Sequence, residues 1–383
     1  MTLLKGDCIE RLKEMSDCSI DSIVTDPPYE LGFMGKGWDA SGIAYSVELW
    51  TEALRVLKPG GHLLAFGGTR TYHRMAVAIE DAGFEIRDSI HWIYGSGFPK
   101  SLNLKNEWQG WGTALKPSHE PIVIARKPLE GIVANNVLTY STGALNIDGC
   151  RVTIAKGDEP TAGKRTATFG TQETISGGDG SGGWEAASGR WPANVIHDGS
   201  DEVLAGFPTS KSGTAVRSNS GGNTFGGNNP KPPMDDLGYG DSGSAARFFY
   251  CAKASKAERN AGLDGLESRE IAAKGNGLAR TCATCGASTL EGCQCSDRTF
   301  ENPKRQNFHP TVKPLALMQY LVRLVTPPDG TVLDPFLGSG TTAVAAILEG
   351  FNWIGCELTE DYWPIIEARV KWAKSQTQEA SLF

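Results

Sequence analysis

Three groups of residues have types and spacings that could do chemistry. The first is SIVTDPPYE, Ser22 to Glu30, where an apolar run stops at an aspartate, two prolines and a tyrosine. Asp26 offers a carboxylate and Tyr29 an aromatic face, while Pro27 and Pro28 fix the backbone and remove donors. A strand end closed by a capping aspartate reads the same way, so this stretch alone leaves loop and site both open. The second is TVLDPFLGSGTT, Thr331 to Thr342. A strand ends there in Asp334, and Gly338 and Gly340 allow a sharp turn into a helix whose first N–H groups a ligand can approach. Glu357 follows seventeen residues after Gly340, at the end of the next strand. An acid there can accept hydrogen bonds from ribose hydroxyls. The three-glycine dinucleotide fingerprint is absent, and the glycine turn combined with Glu357 points to a nucleoside cofactor. The third group is Cys282, Cys285, Cys293 and Cys295, spaced C-x2-C-x7-C-x-C. Four thiolates suit tetrahedral zinc, and the first pair has knuckle spacing. The second pair is tighter than usual, so free cysteines or another metal also fit.

The elements that must position these groups alternate between strand and helix signals. Asp21–Thr25, His62–Phe66, Phe84–Tyr94 and Glu120–Ala125 read as strands. Between them, Ala44–Leu57 and Arg70–Ala82 read as helices, the first stopped by Lys58-Pro59-Gly60-Gly61. The pattern resumes with a helix at Leu315–Val325, a strand at Thr331–Leu333 and a helix at Thr341–Glu349. A strand at Asn352–Glu357 and a helix at Glu360–Lys374 complete it. Residues 157–190 and 212–243 are rich in Gly, Ser, Thr and Asn and read as long loops around two apolar islands, Arg190–Phe207 and Ala245–Ala261. The expected fold is α/β. It is one domain built from both parts of the chain, 1–145 and 306–383, with a less regular Gly-rich insertion at 146–305.

At 383 residues the chain can bury a substantial core. No run of eighteen apolar residues exists, which excludes a helical membrane span, and the first dozen residues carry too many charges for a secretory signal. Nine cysteines without a small-domain framework suit a reducing compartment, so a soluble cytoplasmic protein is expected. The net charge of −7 hides two modestly basic blocks, 92–170 with 9 basic and 6 acidic groups and 244–313 with 11 and 7. They permit a phosphate-facing surface and fit ordinary solvated surface equally well.

Asp26-Pro27-Pro28-Tyr29 together with Asp334-Pro335-Phe336-Leu337-Gly338-Ser339-Gly340 resembles the catalytic and cofactor motifs of the DNA amino-methyltransferases. Those enzymes use S-adenosylmethionine to methylate N6 of adenine or N4 of cytosine. The order, catalytic motif first and cofactor motif last, resembles the permuted β class. Lys5-Gly6-Asp7-Cys8, Tyr94-Gly95-Ser96-Gly97-Phe98-Pro99-Lys100, Arg247-Phe248-Phe249-Tyr250 and His309-Pro310-Thr311-Val312-Lys313-Pro314 extend the resemblance over nearly the whole chain. It looks most like the versions found in phages and prophages.

The resemblance implies a Rossmann-like methyltransferase sheet with helices on both faces, an inserted target-recognition region and S-adenosylmethionine as cofactor. The substrate is double-stranded DNA, and many relatives dimerise. Catalysis would fall to Asp26, Pro27, Pro28 and Tyr29: carboxylate and main-chain carbonyl take the two N–H groups of an extruded base, and Tyr29 stacks on it. Methyl would pass directly to nitrogen with no covalent enzyme intermediate. Phe336, Gly338, Gly340 and Thr341, with Asp334, would surround the methionine end of the cofactor. Glu357 would hold the ribose, and Asp7 would approach the adenine amine unless it only caps the helix at Cys8. Thr311 and Lys313 would sit near the cofactor carboxylate with His309, for which a plain turn fits as well. Tyr362 could pack on the adenine ring or in the helical core.

Aspartate at position 26 favours adenine, because serine there is commoner among the cytosine-N4 enzymes of this resemblance. RNA or protein-glutamine methylation, and a non-catalytic DNA binder, are the readings from other classes. Motif order disfavours the former, and intact Asp26, Tyr29 and Glu357 disfavour the latter. Sequence readout would come from the insertion, with Arg247, Lys253, Lys256, Arg259, Lys304 and Arg305 as basic candidates that fit solvated surface equally well. Trp184 and Trp191 read as local core.

Overall fold

A computed structural model of the chain describes residues 1–31, 41–97, 101–154, 189–211, 242–253, 255–270, 280–285, 287–288, 293–296 and 299–380. Two compact units emerge. The first joins Met1–Asn146, Asn194–Ser200 and Cys251–Phe383, and the second joins Ile147–Ala193 and Asp201–Tyr250. Most of the Gly-rich stretches at 157–190 and 212–243, Trp184, residues 98–100 of the Tyr94–Lys100 motif and the Lys256 side chain lie outside the described residues.

The first unit begins with β1 (Thr2–Lys5), α1 (Cys8–Lys13), β2 (Ile20–Thr25), α2 (Val47–Val56) and β3 (Leu57–Phe66). It continues with α3 (Tyr72–Asp81), β4 (Glu85–Ile93), β5 (His119–Arg126), α4 (Val133–Tyr140), β6 (Val195–His197) and β7 (Tyr250–Cys251). Then come α5 (Leu315–Val325), β8 (Thr331–Asp334), α6 (Thr341–Leu348), β9 (Asn352–Glu357) and α7 (Trp363–Ala380). The nine strands form one sheet in the order β1-β9-β8-β2-β3-β5-β4-β6-β7. From β1 to β3 neighbours run parallel, with Leu4 opposite Cys356, Ile23 opposite Leu333 and Leu63 opposite Ile23. β5 runs antiparallel to both β3 and β4.

Every residue of β2 is buried, as a strand covered on both faces requires. α2 buries Leu49, Trp50, Ala53 and Val56, one stripe at helical spacing. Each such large side chain contributes about 1.5–3 kcal/mol by leaving water. α6 is buried along almost its whole length, so its residues are small or β-branched. Among the described residues, no helix is long and apolar enough to cross a membrane.

The helix α2 stops where Lys58–Gly61 indicates, at Val56, but the strand expected from His62 already begins at Leu57 and runs through those turn residues. The backbone there has partners that permit this. The Pro59 carbonyl accepts from Asn136 Nδ2 at 2.9 Å and Thr142 Oγ1 at 2.6 Å, and Gly60 N–H donates to the Lys127 carbonyl at 3.1 Å. Gly60 has φ +76°, and a Cβ there would collide with Asn136. The apolar island Arg190–Phe207 supplies an element of the main sheet, since Trp92 pairs with Ile196 across β4 and β6.

The second unit carries two small antiparallel pairs, Val152–Thr153 with Gly189–Arg190 and Thr209–Lys211 with Ser242–Ser244. Phe207 and Phe249 pack at 5.4 Å between ring centres. Trp191, read from the sequence as local core, is 65% exposed here, with the Arg151 guanidinium over its ring. A guanidinium partner leaves most of an indole in water, whereas burial needs apolar neighbours on both faces.

Candidate active site

Parallel strands place their carboxyl ends along one edge, and that edge carries the motifs. Lys5, Thr25, Phe66, Asp334 and Glu357 end β1, β2, β3, β8 and β9. Antiparallel β5 opens at the same edge, with Ile122 opposite Phe66. Beyond these ends lies a cavity of about 510 Å³ lined at one side by Asp26, Tyr29, Glu120 and Lys313 and at the other by Asp7, Phe336, Gly338 and Glu357. Its size is that of a pocket for a small organic molecule.

At the first side, Lys313 Nζ donates to Asp26 Oδ2 at 2.6 Å and lies 3.5 Å from Glu120 Oε2. The Lys313 side chain is 8% exposed and that of Asp26 18%, so the pair is shielded from solvent. Burial raises the Asp26 carboxyl above its usual range, while the Lys313 ammonium pulls the other way. For Lys313, burial works against the charge, but Asp26 and Glu120 outweigh it and the ammonium is held above its ordinary value. Asp26 Oδ1 is buried and accepts no hydrogen bond from the described residues, although the Tyr29 hydroxyl nearby favours its charged form. Tyr29 donates to Glu120 Oε2 at 2.8 Å, and its carbonyl accepts from Thr71 Oγ1 at 2.8 Å. Ring and backbone of the Asp26–Tyr29 turn are thereby both anchored. No N–H among the described residues donates to the carbonyl of Asp26 or Pro27.

At the second side, Gly338 and Gly340 have φ +56° and +79°, the left-handed region that side chains avoid. Glu357 accepts Gly338 N–H at Oε2, 2.8 Å, and Thr359 N–H at Oε1, 2.7 Å. Burial raises its carboxyl, and these N–H groups oppose the rise. A Cβ on Gly338 would stand 2.8 Å from His309 Nε2, so the imidazole packs directly on the turn. The His309 ring meets Tyr362 edge-on at 4.7 Å. Thr311 and Tyr362 line the cavity as well. Asp7 caps α1, its Oδ1 accepting from Ile9 and Glu10 N–H at 2.9 and 3.2 Å, and it also borders the cavity.

Three residues that line the cavity also have partners within the protein that the sequence did not indicate. Lys313, expected near a cofactor carboxylate, meets Asp26. Asp334 is 2% exposed and its carboxylate is spent on bracing: Thr25 and Thr342 hydroxyls donate to it at 2.6 and 2.5 Å and Phe336 N–H at 3.0 Å. Burial still lifts it to about 6. Thr341 accepts from Arg369 Nη1 at 3.0 Å.

Arg369 itself was not singled out from the sequence. It is 1% exposed and also donates to the Ser339 carbonyl at 2.7 Å, holding the glycine turn from beneath. Burial and the nearby Arg259 lower it to about 10. Its signal is a charged residue on the apolar face of α7, in step with Ile365, Ile366 and Ala373. Glu120 was read only as the opening residue of a strand; an acid starting an otherwise apolar run was its mark. Trp108 and Trp111 pack edge-to-face at 5.5 Å, 53% and 63% exposed, on a loop closed by Leu104 N–H donating to the Trp111 carbonyl at 2.9 Å. That loop leads into Pro117, His119 and Glu120 of the cavity wall. In the Tyr94–Lys100 motif, a Cβ on Gly97 would collide with the Pro117 carbonyl.

Among the basic candidates, Arg247 donates to Ser210 Oγ and to the Gly243 and Ser244 carbonyls, which makes it a brace of the second unit. Arg259 donates to the His309 carbonyl at 2.5 Å. Arg305 is half-buried, while Lys253 and Lys304 are exposed. The four cysteines come together, all sulfurs within 4.8 Å of one another.

A family model described as DNA methylase, the N6/N4 methyltransferases, matches residues 20–368. The type II methyltransferase M.HindIII of Haemophilus influenzae is 32% identical over 116 residues, 26% of this chain and 38% of that protein. The type II methyltransferase M.ScaI of Streptomyces caespitosus is 41% identical over 63 residues, 16% of this chain and 21% of that protein. The chain thus spans well under half the length of these curated relatives. Among solved structures, the cytosine-N4-specific PvuII DNA methyltransferase superposes with a TM-score of 0.48 at 14% identity, covering 96% of this chain and 85% of that one.

Proposed function

The chain belongs to the N6/N4 DNA methylase family, and on that premise we propose that it transfers a methyl group from S-adenosylmethionine to the N6 amine of adenine in double-stranded DNA. The observation that carries the reading is Asp26 Oδ1, buried and without a hydrogen bond from the described residues, in one cavity with the glycine turn.

An exocyclic amine is a poor nucleophile because its lone pair is delocalised into the ring. Asp26 Oδ1 would accept one amine N–H and the carbonyl of Asp26 or Pro27 the other, which favours a pyramidal nitrogen with an available lone pair. Lys313 holds Asp26 in the ionised, accepting form against the effect of burial. Tyr29, fixed by Glu120 and Thr71, presents its ring to a base that must leave the duplex stack to enter. At the other side Glu357 keeps a lone pair on each oxygen for ribose hydroxyls, and the left-handed glycines let main chain approach the ligand closely. S-adenosylmethionine, when bound, would supply a methyl group carried on its sulfonium, with the neutral thioether as leaving group. The amine proton then leaves through Asp26 or solvent. Aspartate at the first motif position favours adenine over cytosine. Trp108 and Trp111 supply apolar surface for contact with nucleic acid beside the cavity wall.

The test incubates the full chain with S-adenosylmethionine and unmethylated genomic DNA and identifies methylated nucleosides by mass spectrometry. N6-methyladenine is expected. N4-methylcytosine would move the target base while keeping the residue roles, and no methylated base despite cofactor binding would sink the reading. Asp26→Ala is expected to lose at least about 10³-fold in rate with cofactor affinity unchanged.

A further inference from the structure

Cys282, Cys285, Cys293 and Cys295 take no part in the proposed transfer, yet their sulfurs all lie within 4.8 Å of one another. Cys285 Sγ and Cys293 Sγ are 3.5 Å apart, too far for a disulfide. A tetrahedral thiolate centre with bonds of about 2.3 Å to zinc separates its sulfurs by about 3.8 Å, so the cluster needs little movement to take the ion.

One main-chain donor is aimed at a sulfur of the cluster: Cys295 N–H donates to Cys293 Sγ at 3.4 Å. Donors aimed at sulfur favour its charged form, which is the form that binds metal.

Little packing supports the described residues of this segment. Thr281–Cys282 pairs with Phe300–Glu301 over two residues only, reinforced by Ala283 N–H donating to the Thr299 carbonyl at 2.9 Å. Among the described residues of 280–301, only Cys282 is buried. A two-residue ladder without an apolar face does not offset the entropy of ordering such a stretch. Free cysteines gather in apolar cores, and among the described residues none surrounds these.

We propose that the four cysteines form a structural zinc site that staples residues 280–301 onto a two-stranded stem. That stem pairs Arg269 with Arg305 and Glu270 with Lys304. It is rooted by Arg269, whose guanidinium donates to Asp361 at 2.8 Å and lies 4.5 Å over the Phe308 ring. Phe308 in turn packs 5.8 Å from Tyr362 of the cavity wall. Zinc binding would displace the thiol protons to solvent and close the loop on its stem. The inference is independent of the methyl-transfer reading.

The full chain, purified without chelator, is assayed for metals by plasma mass spectrometry. About one zinc per chain is expected, and exchange into cobalt(II) should give the intense visible bands of a tetrahedral thiolate complex. Cys285→Ser with Cys293→Ser should reduce zinc to below about a tenth per chain. It should also speed tryptic cleavage after Arg280 at least about tenfold while the thermal unfolding of the chain persists. Wild-type protein that is folded but metal-free, with all four thiols titrating freely, would overturn the proposal. So would iron in place of zinc, disulfides among the four, or full zinc content in the double variant. The wild-type metal content decides the matter even if that variant fails to fold, and it does so whether or not any DNA is methylated.

Discussion

Lys313 and Asp26 stand 287 positions apart in the chain, and their side chains meet at 2.6 Å. Asp26 follows the last residue of β2 and Lys313 precedes α5, so the contact joins two distant parts of the chain. It sets a balance. Burial raises the Asp26 carboxyl, and the ammonium holds it down.

The balance makes the reaction pH-sensitive in a defined direction. In the proposed transfer Asp26 accepts best when ionised, so the rate should fall as pH drops through its pKa. Lys313→Met removes the countercharge, raises that pKa further and should move the acid limb of the kcat profile upward by at least about one pH unit. Lys313→Arg should restore most of it. An acid limb that stays in place while the rate drops equally at every pH would show that Lys313 acts only sterically.

Gly338→Ala places a methyl 2.8 Å from His309 Nε2 on a backbone with φ +56°. Affinity for S-adenosylmethionine, read by calorimetry, should fall at least about tenfold, with a stability cost of about 1–2 kcal/mol from the backbone alone. His309→Ala in the same chain should recover part of the affinity by removing the clash and none of the backbone cost. Equal affinities of the single and double variants would mean that the imidazole moves aside freely.

His62 is 5% exposed, and burial, with Arg126 adding to it, lowers its pKa from 6.5 to about 4. The unfolded chain takes up this proton below pH 6.5, whereas the folded chain does so only near 4. Its contribution to stability is therefore complete above 6.5 and is lost as pH falls towards 4, by ~3 kcal/mol at most. His62→Gln lacks the proton site. The difference in unfolding free energy between wild type and variant should change by up to that amount between pH 7 and 4, whereas a constant difference would mean that His62 titrates normally.

Trp108 and Trp111 project from a loop whose base forms the cavity wall. Replacing both by Ala should weaken DNA binding by at least about tenfold, since a stacked base is worth ~1–3 kcal/mol, and leave cofactor affinity unchanged. Gel-shift and calorimetric titrations separate the two effects. Unaltered DNA affinity would assign the pair to another surface contact.

Much of the architecture was legible because period and punctuation agreed. Leu315–Val325 and Asn352–Glu357 occupy the residues their patterns indicate. Lys58–Gly61 stopped the helix as read but hid the start of β3, because turn residues exclude a strand only when their backbone lacks partners, and here Asn136 and Thr142 supply them from far along the chain. β5 looks like any apolar strand, and nothing local marks its antiparallel direction or brings Glu120 to Lys313. The contacts of Asp334 and Lys313 were hidden for the same reason. Residue types indicate which charges a site contains, but only the strand order decides which of them touch.

That order also has a consequence during synthesis. β2, β3, β5 and β4 are complete once Arg126 has been made, but Leu4 and Ile23 find their partners Cys356 and Leu333 only after more than two hundred further residues. Until then one edge of β2 presents unpaired donors and acceptors in the middle of what will become the sheet. The nascent chain must carry that open edge through most of its translation, and the glycine turn and the Asp26 loop come together only in its last stage.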